Sequence, residues 1–421
     1  LPVIRLLQEF IMSSSARVFI GLLLGVVTGL LLSHFTPDWV PKITAVAQPI
    51  GKLWLNALQM TIVPLVASLL IVGINQASDI AESGRVARRA MIWIITLLFL
   101  AGLGTAIAAP LFLGLMPHSP ELMQTLQSAS ATTLPAANGS DWTSTIIPTN
   151  VISAAAAGAI VPLVAFTLLF AFALTQINAE RRKLIIDFFR GISETIIQMV
   201  NWVLWVGPLG VFALIMPLSA QAGGGIIKAL GIYILMLCLL YLSITAILYA
   251  VASFGKGEAL MRYAKAILPA QVIAMSTQSS VATLPAMVNS SQALGYPNQV
   301  TGLVLPLAVS LFRITSPVQY LGVVSFIAWA YGIDLPLATL AVCVGLSVLI
   351  SIGSVGLPGS AIFMGTNLPV VQSAGLPVDA LGLLVAVDVI PDIFATLGNV
   401  TADLTVTSRV ARAESQSQET S

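Results

Sequence analysis

Eight long apolar stretches dominate the sequence and leave few options for its fold. Each stretch is long enough for a helix to cross a hydrocarbon core of about 30 Å, which takes about 20 residues. Only 8% of the 421 residues are charged, whereas soluble domains carry about 25%. A membrane barrel would instead alternate over segments of about ten residues, so we predict an all-α polytopic membrane protein. The predicted crossings are residues 17–35, 53–75, 91–116, 151–175, 194–219, 224–253, 299–331 and 378–408.

Basic residues are unevenly shared between the two sides of this topology. With eight crossings, fourteen of the 18 Lys and Arg residues fall on one side, and only Lys42, Lys52 and Lys228 fall on the other. Because basic residues accumulate in cytoplasmic loops, we expect both termini in the cytoplasm and a multi-pass protein in the inner (plasma) membrane of a prokaryotic cell. The remaining basic residue, Arg313, lies inside an apolar segment.

Two further apolar segments, residues 266–295 and 335–376, are interrupted by hydroxyl, glycine and proline residues. The interruptions are Ser276–Pro285 (STQSSVATLP) and Ser351–Gly359 (SIGSVGLPG). Backbone groups in lipid must be hydrogen-bonded, so such breaks are tolerated only where they are buried or line a cavity. We interpret each segment as a re-entrant helical hairpin, and the pair as part of a transporter with inverted repeats and a binding site at mid-membrane depth. Two ordinary kinked helices are the alternative.

The last predicted crossing carries a row of polar side chains. Asp388, Asp392, Thr396, Asn399 and Asp403 recur at spacings of three and four residues, so most of them project from one helix face. An ionised group costs at least about 2.5 kcal/mol at the centre of a bilayer, which makes three carboxylates there too costly without a function. We predict that they line a solute or ion pathway. The alternative is that they only form polar contacts between neighbouring helices.

Three motifs resemble those of the glutamate-transporter homologues, the dicarboxylate/amino acid:cation symporters. They are SSVATLP from Ser279 to Pro285, SIGSVGLPG from Ser351 to Gly359, and the Asp392-x3-Thr396-x2-Asn399-Val-Thr-x-Asp403 run. The resemblance covers essentially the whole chain, with crossings and hairpins in the same order. It implies a homotrimer with an elevator mechanism, in which a static scaffold carries a mobile transport domain that moves across the membrane.

The resemblance also divides the chain. Residues 1–116 hold the first three crossings, mainly scaffold except for the third, and 117–146 form an extracellular loop. Residues 147–253 hold crossings four to six, mainly scaffold and trimer interface. The transport-domain core is 254–408, with hairpin 1 at 266–295, helix 7 at 299–331, hairpin 2 at 335–376 and helix 8 at 378–408. Residues 409–421 are a cytoplasmic tail, whose polar sequence predicts disorder.

By the same resemblance, Asp392 binds the amino group of the substrate, and its charge suits an α-ammonium. The substrate carboxylate would be held by Asn399 and by Ser280 with the backbone of the first hairpin tip, because the N–H groups of a broken helix are natural anion donors. Leu357 and the turn from Gly359 to Ala361 would close over the substrate as a gate. The full expected set is Gln278, Ser279, Ser280, Leu357, Gly359, Ala361, Asp392, Ala395, Thr396 and Asn399.

The chain departs from the family at its charged positions. Ala395 replaces the arginine that holds the side-chain carboxylate of acidic substrates, and Gln278 replaces an arginine that some prokaryotic members carry. The family's Asn-Met-Asp-Gly-Thr motif is replaced within Leu311–Pro317 (LFRITSP), so its sodium-ligating aspartate is absent. Arg313 takes the place of the methionine or the asparagine, and we expect it to act as a built-in cation that pairs with Asp403. The expected cation site, or its substitute, comprises Arg313, Asp403, Asp388, Ser310, Ser351, Ile352 and Ser354, and residual sodium binding at Asp403 and Asn399 stays open.

The sequence thus predicts a secondary active transporter of a small amino acid with a neutral side chain, weakly coupled or uncoupled to sodium. The alternative is sodium- or proton-coupled transport of an acidic amino acid or dicarboxylate, with Arg313 holding the second carboxylate. A substrate-gated channel and a non-transporting sensor are alternatives of another class. We expect the solute, the lipid bilayer and further copies of the chain as partners, no nucleic acid, and no cofactor beyond a coupling sodium ion or proton. An enzyme is not expected, because no nucleophile–base or metal-ligand arrangement occurs in the sequence.

Overall fold

Helices make up nearly all of the structure. The computed structural model describes residues 14–82, 84–117, 147–222, 225–254, 258–353 and 359–419. Within these ranges the chain forms α-helices and one 3-10 helix (Pro37–Trp39) and no β-strand, so the predicted all-α class is confirmed there. The α-helices are α1 (Ser14–Phe35), α2 (Val40–Gln59), α3 (Ile62–Glu82), α4 (Arg85–Gly114), α5 (Val151–Ala156), α6 (Ile160–Leu174), α7 (Ala179–Trp205), α8 (Gly207–Ala222), α9 (Gly225–Ser253), α10 (Leu260–Thr277), α11 (Ser280–Ala293), α12 (Asn298–Leu311), α13 (Thr315–Tyr331), α14 (Leu337–Gly353), α15 (Gly359–Ser373), α16 (Leu381–Val387) and α17 (Val389–Glu419).

Length and apolar character identify the candidate crossings among these helices. The described residues contain five spans that are long and apolar enough, and up to seven if each of two bent helix pairs counts as one span. The predicted fourth crossing, 151–175, is divided into α5 and α6. The division falls at Gly158, whose φ of +67° lies in the left-handed region that favours glycine. The total of eight crossings therefore stays a prediction.

The last predicted crossing, 378–408, is not one straight helix. α16 and α17 meet at an angle of 70°, with Asp388 between them. Pro391 contributes to this bend, because it has no N–H to donate to the carbonyl of Val387. α17 also continues to Glu419, so the disorder expected for the tail, residues 409–421, is not found up to that residue.

Ion pairs tie the C-terminal part of α17 to the ends of other helices. The Glu414 carboxylate lies 2.7 Å from the guanidinium of Arg85 and 2.6 Å from that of Arg89, both at the start of α4. Glu258, just before α10, pairs with Arg412. All three arginines belong to the set that the charge pattern assigns to one side of the membrane, and the structure brings their helix ends together.

The helices pack in two groups. α8 packs against α1 and α2, and α3 packs against α6 and α7. In the other group, α4 packs against α13, and α9 packs mainly against α17 and α13. The sequence placed residues 224–253 with the scaffold helices, whereas in the structure α9 lies with the helices of the predicted transport domain. The physical reason is a buried aromatic face, since Tyr233 and Tyr241 are fully buried and the ring of Tyr233 lies 5.1 Å from that of Phe326 in α13.

Each of the two interrupted segments forms a pair of helices that pack together, as expected of a hairpin. α10 and α11 are joined at Gln278, which adopts a left-handed conformation with a φ of 51°. Ser279 then caps α11, because its Oγ accepts a hydrogen bond from the N–H of Ala282 at 3.2 Å. The second pair, α14 and α15, contacts α3, and residues 354–358 between them lie outside the described residues.

A glycine stripe on α1 sets its contact with α8. Gly21, Gly25 and Gly29 recur every four residues, a pattern that lets two helix backbones approach closely in a membrane. A Cβ atom at Gly21 would lie 2.4 Å from the carbonyl oxygen of Pro208, and one at Gly29 would lie 2.4 Å from that of Met216. Both contacts are with backbone atoms, so no side-chain rotation relieves them.

We expect Gly21→Ala to destabilise the protein by about 1–3 kcal/mol, because the added methyl group forces α1 away from α8. The matched control is Gly104→Ala in α4, where a Cβ meets nothing within 4 Å and alanine favours the helix by about 1 kcal/mol. Thermal denaturation in detergent compares the two variants. Equal midpoints would contradict the close packing of α1 on α8.

Candidate functional site

The candidate site centres on a break between two helices. α12 ends at Leu311 and α13 begins at Thr315, with Phe312 in an extended conformation. Asn399 of α17 stabilises the start of α13, because its Oδ1 accepts hydrogen bonds from the Thr315 N–H at 3.1 Å and from the Thr315 Oγ1 at 2.9 Å. Both Asn399 and Thr315 are buried. The break expected within residues 311–317 is therefore present. The side-chain oxygen of Asn399 accepts a hydrogen bond from a backbone N–H at this break.

Asp388 lies at one end of a chain of hydrogen bonds. Gln319 Nε2 donates to Asp388 Oδ1 at 2.8 Å, and Asn367 Nδ2 donates to Gln319 Oε1 at 3.4 Å. These bonds connect α13 and α15 to the bend between α16 and α17. The sequence reasoning missed Gln319 and Asn367. The available signal was the presence of amide side chains within two otherwise apolar helices, α13 and α15.

The first hairpin tip contacts the start of α17. Gln278 Nε2 donates to the carbonyl of Val389 at 3.2 Å, three residues before Asp392. Within α17, Thr396 Oγ1 donates to the carbonyl oxygen of Asp392 at 2.9 Å, so this hydroxyl is bonded to its own helix. Ala395, which precedes Thr396 in α17, is buried, with 4% of its surface exposed. The structure thus brings the Gln278 tip beside the turn of α17 that carries Asp392.

Asp403 is a deeply buried carboxylate of α17. Its side chain is fully buried, and neither Oδ1 nor Oδ2 has a hydrogen-bond partner among the described residues. The direct pair with Arg313 that the sequence predicted is therefore not formed in this structure. Arg313 lies in the break between α12 and α13, two residues before Thr315, whose N–H donates to Asn399 of α17. Both α12 and α13 contact α17, the helix that carries Asp392 and Asp403.

The remaining predicted residues divide into those near the break and those elsewhere. Ser351 Oγ donates to the backbone oxygen of Arg313 at 3.3 Å, and the neighbouring Ile352 is buried. Ser310 does not join them, because its exposed side chain donates to the carbonyl of Pro306 at 2.7 Å. Ser279 and Ser280 are half-buried at the first tip. Leu357 and Ser354 lie outside the described residues, and Gly359 and Ala361 are in the first turn of α15.

No group of three or more His, Cys, Asp or Glu side chains in the described part of the chain is arranged to hold a metal ion. A hard cation such as sodium takes several oxygen ligands, and the two orphaned oxygens of Asp403 supply part of such a set. A buried carboxylate without a partner is costly unless a cation or a proton joins it. The surroundings of Asp403 therefore suit a sodium ion or a proton.

Comparison with known proteins agrees with this arrangement. The sequence profile of the Sodium:dicarboxylate symporter family matches residues 15–413. This chain belongs to that family. Its members are membrane transporters, which supports the expectation of a transporter and not an enzyme at the level of the family.

Relatives of this symporter family align over almost the full chain. The proton/sodium-glutamate symport protein of Bacillus subtilis (strain 168) is 27% identical over 92% of this chain and 90% of its own length. The proton/glutamate-aspartate symporter of Escherichia coli (strain K12) is 26% identical over 94% and 92%. C4-dicarboxylate transport protein 2 of Ralstonia nicotianae is 28% identical over 96% and 90%. The symporter family thus includes relatives of this chain named for acidic amino acids and relatives named for C4-dicarboxylates.

We expect Asn399→Leu to lower the free energy of unfolding by about 1–3 kcal/mol, because it leaves the buried Thr315 N–H without its acceptor. Asn298→Leu is the matched control, since Asn298 is exposed at the start of α12. Thermal denaturation in detergent measures both. Equal denaturation midpoints for Asn399→Leu and Asn298→Leu would mean that the break between α12 and α13 does not depend on the Asn399 amide.

Proposed function

We propose that this chain is a cation-coupled secondary transporter of a small acidic amino acid, with a C4-dicarboxylate as the alternative acidic solute. The named substrates of the relatives support an acidic solute. The relatives named for glutamate and for C4-dicarboxylates match at 27% and 28% identity, so they do not separate the two solutes. The choice between them rests on the charges of the site.

The observation that carries the proposal is the position of Arg313. An acidic substrate brings a second carboxylate, which needs a cationic partner in a buried site. Ala395 supplies none, whereas Arg313 lies at the break between α12 and α13, and both of these helices contact α17, which carries Asp392 and Asp403. A guanidinium also suits a carboxylate geometrically, because it presents paired N–H donors. We therefore assign the distal carboxylate of the substrate to Arg313.

Asp392 favours an amino acid over a C4-dicarboxylate. A carboxylate beside the substrate site is stabilised by the ammonium group that an amino acid brings. A dicarboxylate brings no positive charge, so Asp392 would have to take up a proton first. Asp392 is half-buried in the first turn of α17, close to the tip residue Gln278. This arrangement supports an amino acid held between the first hairpin and α17.

The coupling cation is assigned to Asp403, with Asp388 as a second candidate. Both oxygens of Asp403 are buried without a hydrogen-bond partner among the described residues, whereas Asp388 accepts a hydrogen bond from Gln319. A sodium ion or a proton at Asp403 would offset its buried charge. If Arg313 instead serves as a built-in cation, it is not available to the substrate, and coupling to an external ion would be weak.

A neutral small amino acid is the second candidate substrate, and one observation favours it. Ala395 is a small, buried apolar residue where the resemblance places an arginine. A substrate without a second carboxylate would need no cation there. In that case Arg313 would neutralise the aspartates instead of the substrate.

The elevator motion is supported by the packing of the two hairpins. α14 and α15 lie against α3, whereas α10 and α11 pack mainly on α12 and α17. The end of α10, from Met275 to Thr277, is exposed. We assign this arrangement to a state in which the second hairpin is covered by the scaffold and the first is accessible from the side that the charge pattern predicts to be cytoplasmic.

Counterflow in proteoliposomes tests the substrate. We expect labelled aspartate to exchange, and unlabelled aspartate to compete at least tenfold better than serine or alanine. Arg313→Met should lower the apparent affinity for aspartate at least tenfold, because the second carboxylate of the substrate loses its cationic partner. Arg190→Met in α7 is the matched control, since Arg190 is exposed and its ion pair among the described residues is with Asp187, on the same helix.

The other outcomes separate the alternatives. Tighter competition by serine or alanine would replace the acidic substrate with the neutral one. Binding without counterflow would identify a sensor, and flux without exchange would identify a channel. An unchanged aspartate affinity in Arg313→Met would remove the assigned role of this residue.

Ion replacement tests the coupling. We expect aspartate uptake to fall when sodium is replaced by choline at fixed ionic strength or when a protonophore collapses the proton gradient. Asp403→Asn should remove this ion dependence, because the orphaned carboxylate is gone. Aspartate uptake that is unchanged both by sodium replacement and by the protonophore would instead support Arg313 as the built-in cation.

A further inference from the structure

A cavity of about 470 Å³ lies at the ends of α4 and α13, and none of the residues assigned to the solute or its cation lines it. This volume is in the range of pockets that hold small organic ligands, about 300–1,000 Å³. The charge pattern predicts that this end of the helices is extracellular. Its lining residues are Pro110, Leu113, Gly114, Ser325, Ala328, Trp329, Gly332, Ile333, Asp334, Leu335 and Leu340.

The wall of the cavity follows from the way α13 ends. Gly332 adopts a left-handed conformation with a φ of 66°, and the N–H of Ile333 donates to the carbonyl of Ala328 at 2.8 Å. This pattern closes the helix and reverses the chain direction. The residues that follow, up to Leu335, then line the cavity before α14 begins. The cavity is therefore a product of a well-defined helix end and not of a loose loop.

The lining has one charge and one buried hydroxyl without a partner. Asp334 is the only charged residue in it, and it is exposed at the surface. Ser325 is 3% exposed, and its Oγ has no hydrogen-bond partner in the described part of the chain. An indole, that of Trp329, also lines the space, and indole faces attract organic cations. The remaining lining is mostly apolar.

We propose that this cavity binds an organic ammonium with a short apolar or aromatic body. The negative carboxylate of Asp334 at the exposed edge attracts the ammonium group. The apolar body lies between α4, α13 and α14, where Leu113 and Leu340 line the space. The hydroxyl of Ser325 offers a hydrogen bond inside the cavity. This site is separate from the transported solute, and its ligand bridges the three helices.

Titration calorimetry on the purified full chain in a neutral detergent tests the site with 2-phenylethylammonium as the probe. We expect saturable binding of one probe per chain, at least tenfold weaker binding of the neutral isostere 2-phenylethanol, and a three- to tenfold loss for the ammonium in Asp334→Asn. The matched control is Asp38→Asn, an exposed aspartate in the 3-10 helix. Ala328→Leu, which fills the cavity, should weaken both compounds.

Counterflow and thermal denaturation show whether each variant is folded, so a loss of binding in a folded variant supports the site. No saturable binding, equal affinity for the alcohol, or an unchanged affinity in both Asp334→Asn and Ala328→Leu would overturn the proposal. Nanodiscs separate two sources of the ammonium. Weaker probe binding in phosphatidylethanolamine than in an equally uncharged glycolipid bilayer, which has no ammonium group, would identify a lipid headgroup as the occupant, and equal binding would identify a soluble amine.

Discussion

Inside a membrane, a backbone group that leaves its helix has no water to bond with, so the protein must supply a partner. The break after Leu311 meets this requirement through Asn399, which accepts from Thr315. The first hairpin tip meets it locally, because Ser279 caps α11. Asn399 and Ser279 therefore use hydrogen-bonding capacity to stabilise the broken helices of the candidate site. Only what remains of their hydrogen-bonding capacity is available to a solute.

Charge balance is the second constraint on the candidate site. Asp388 lies at the bend before α17, Asp392 and Asp403 lie on α17, and Arg313 lies in the break between two helices that contact α17. Buried carboxylates in excess of their cations are costly, so positive charge has to come from elsewhere. An ammonium group on the solute and a coupling ion or proton are the two natural sources.

Packing assigns different properties to the two groups of helices. α1 and α8 touch through backbone at Gly21 and Gly29, a contact with no freedom to slide. α14 and α15 meet α3 around a small void that is lined by Leu70 and Ile350 and, on α15, by Gly365 and Thr366. The motion proposed above would require the contact of α14 and α15 with α3 to be remade.

The sequence by itself determined the all-α class, the two interrupted segments and the break near Arg313, because hydropathy and helix-breaking residues are properties of the chain alone. It also determined the family, since the motifs of the hairpins and the last helix are contiguous. Only the tertiary structure decided that Ser310 turns to its own helix, that Gln319 holds Asp388, and that α9 packs with α17. The physical reason is that hydropathy predicts whether a side chain is buried, whereas its partner depends on which helices meet and how they are rotated.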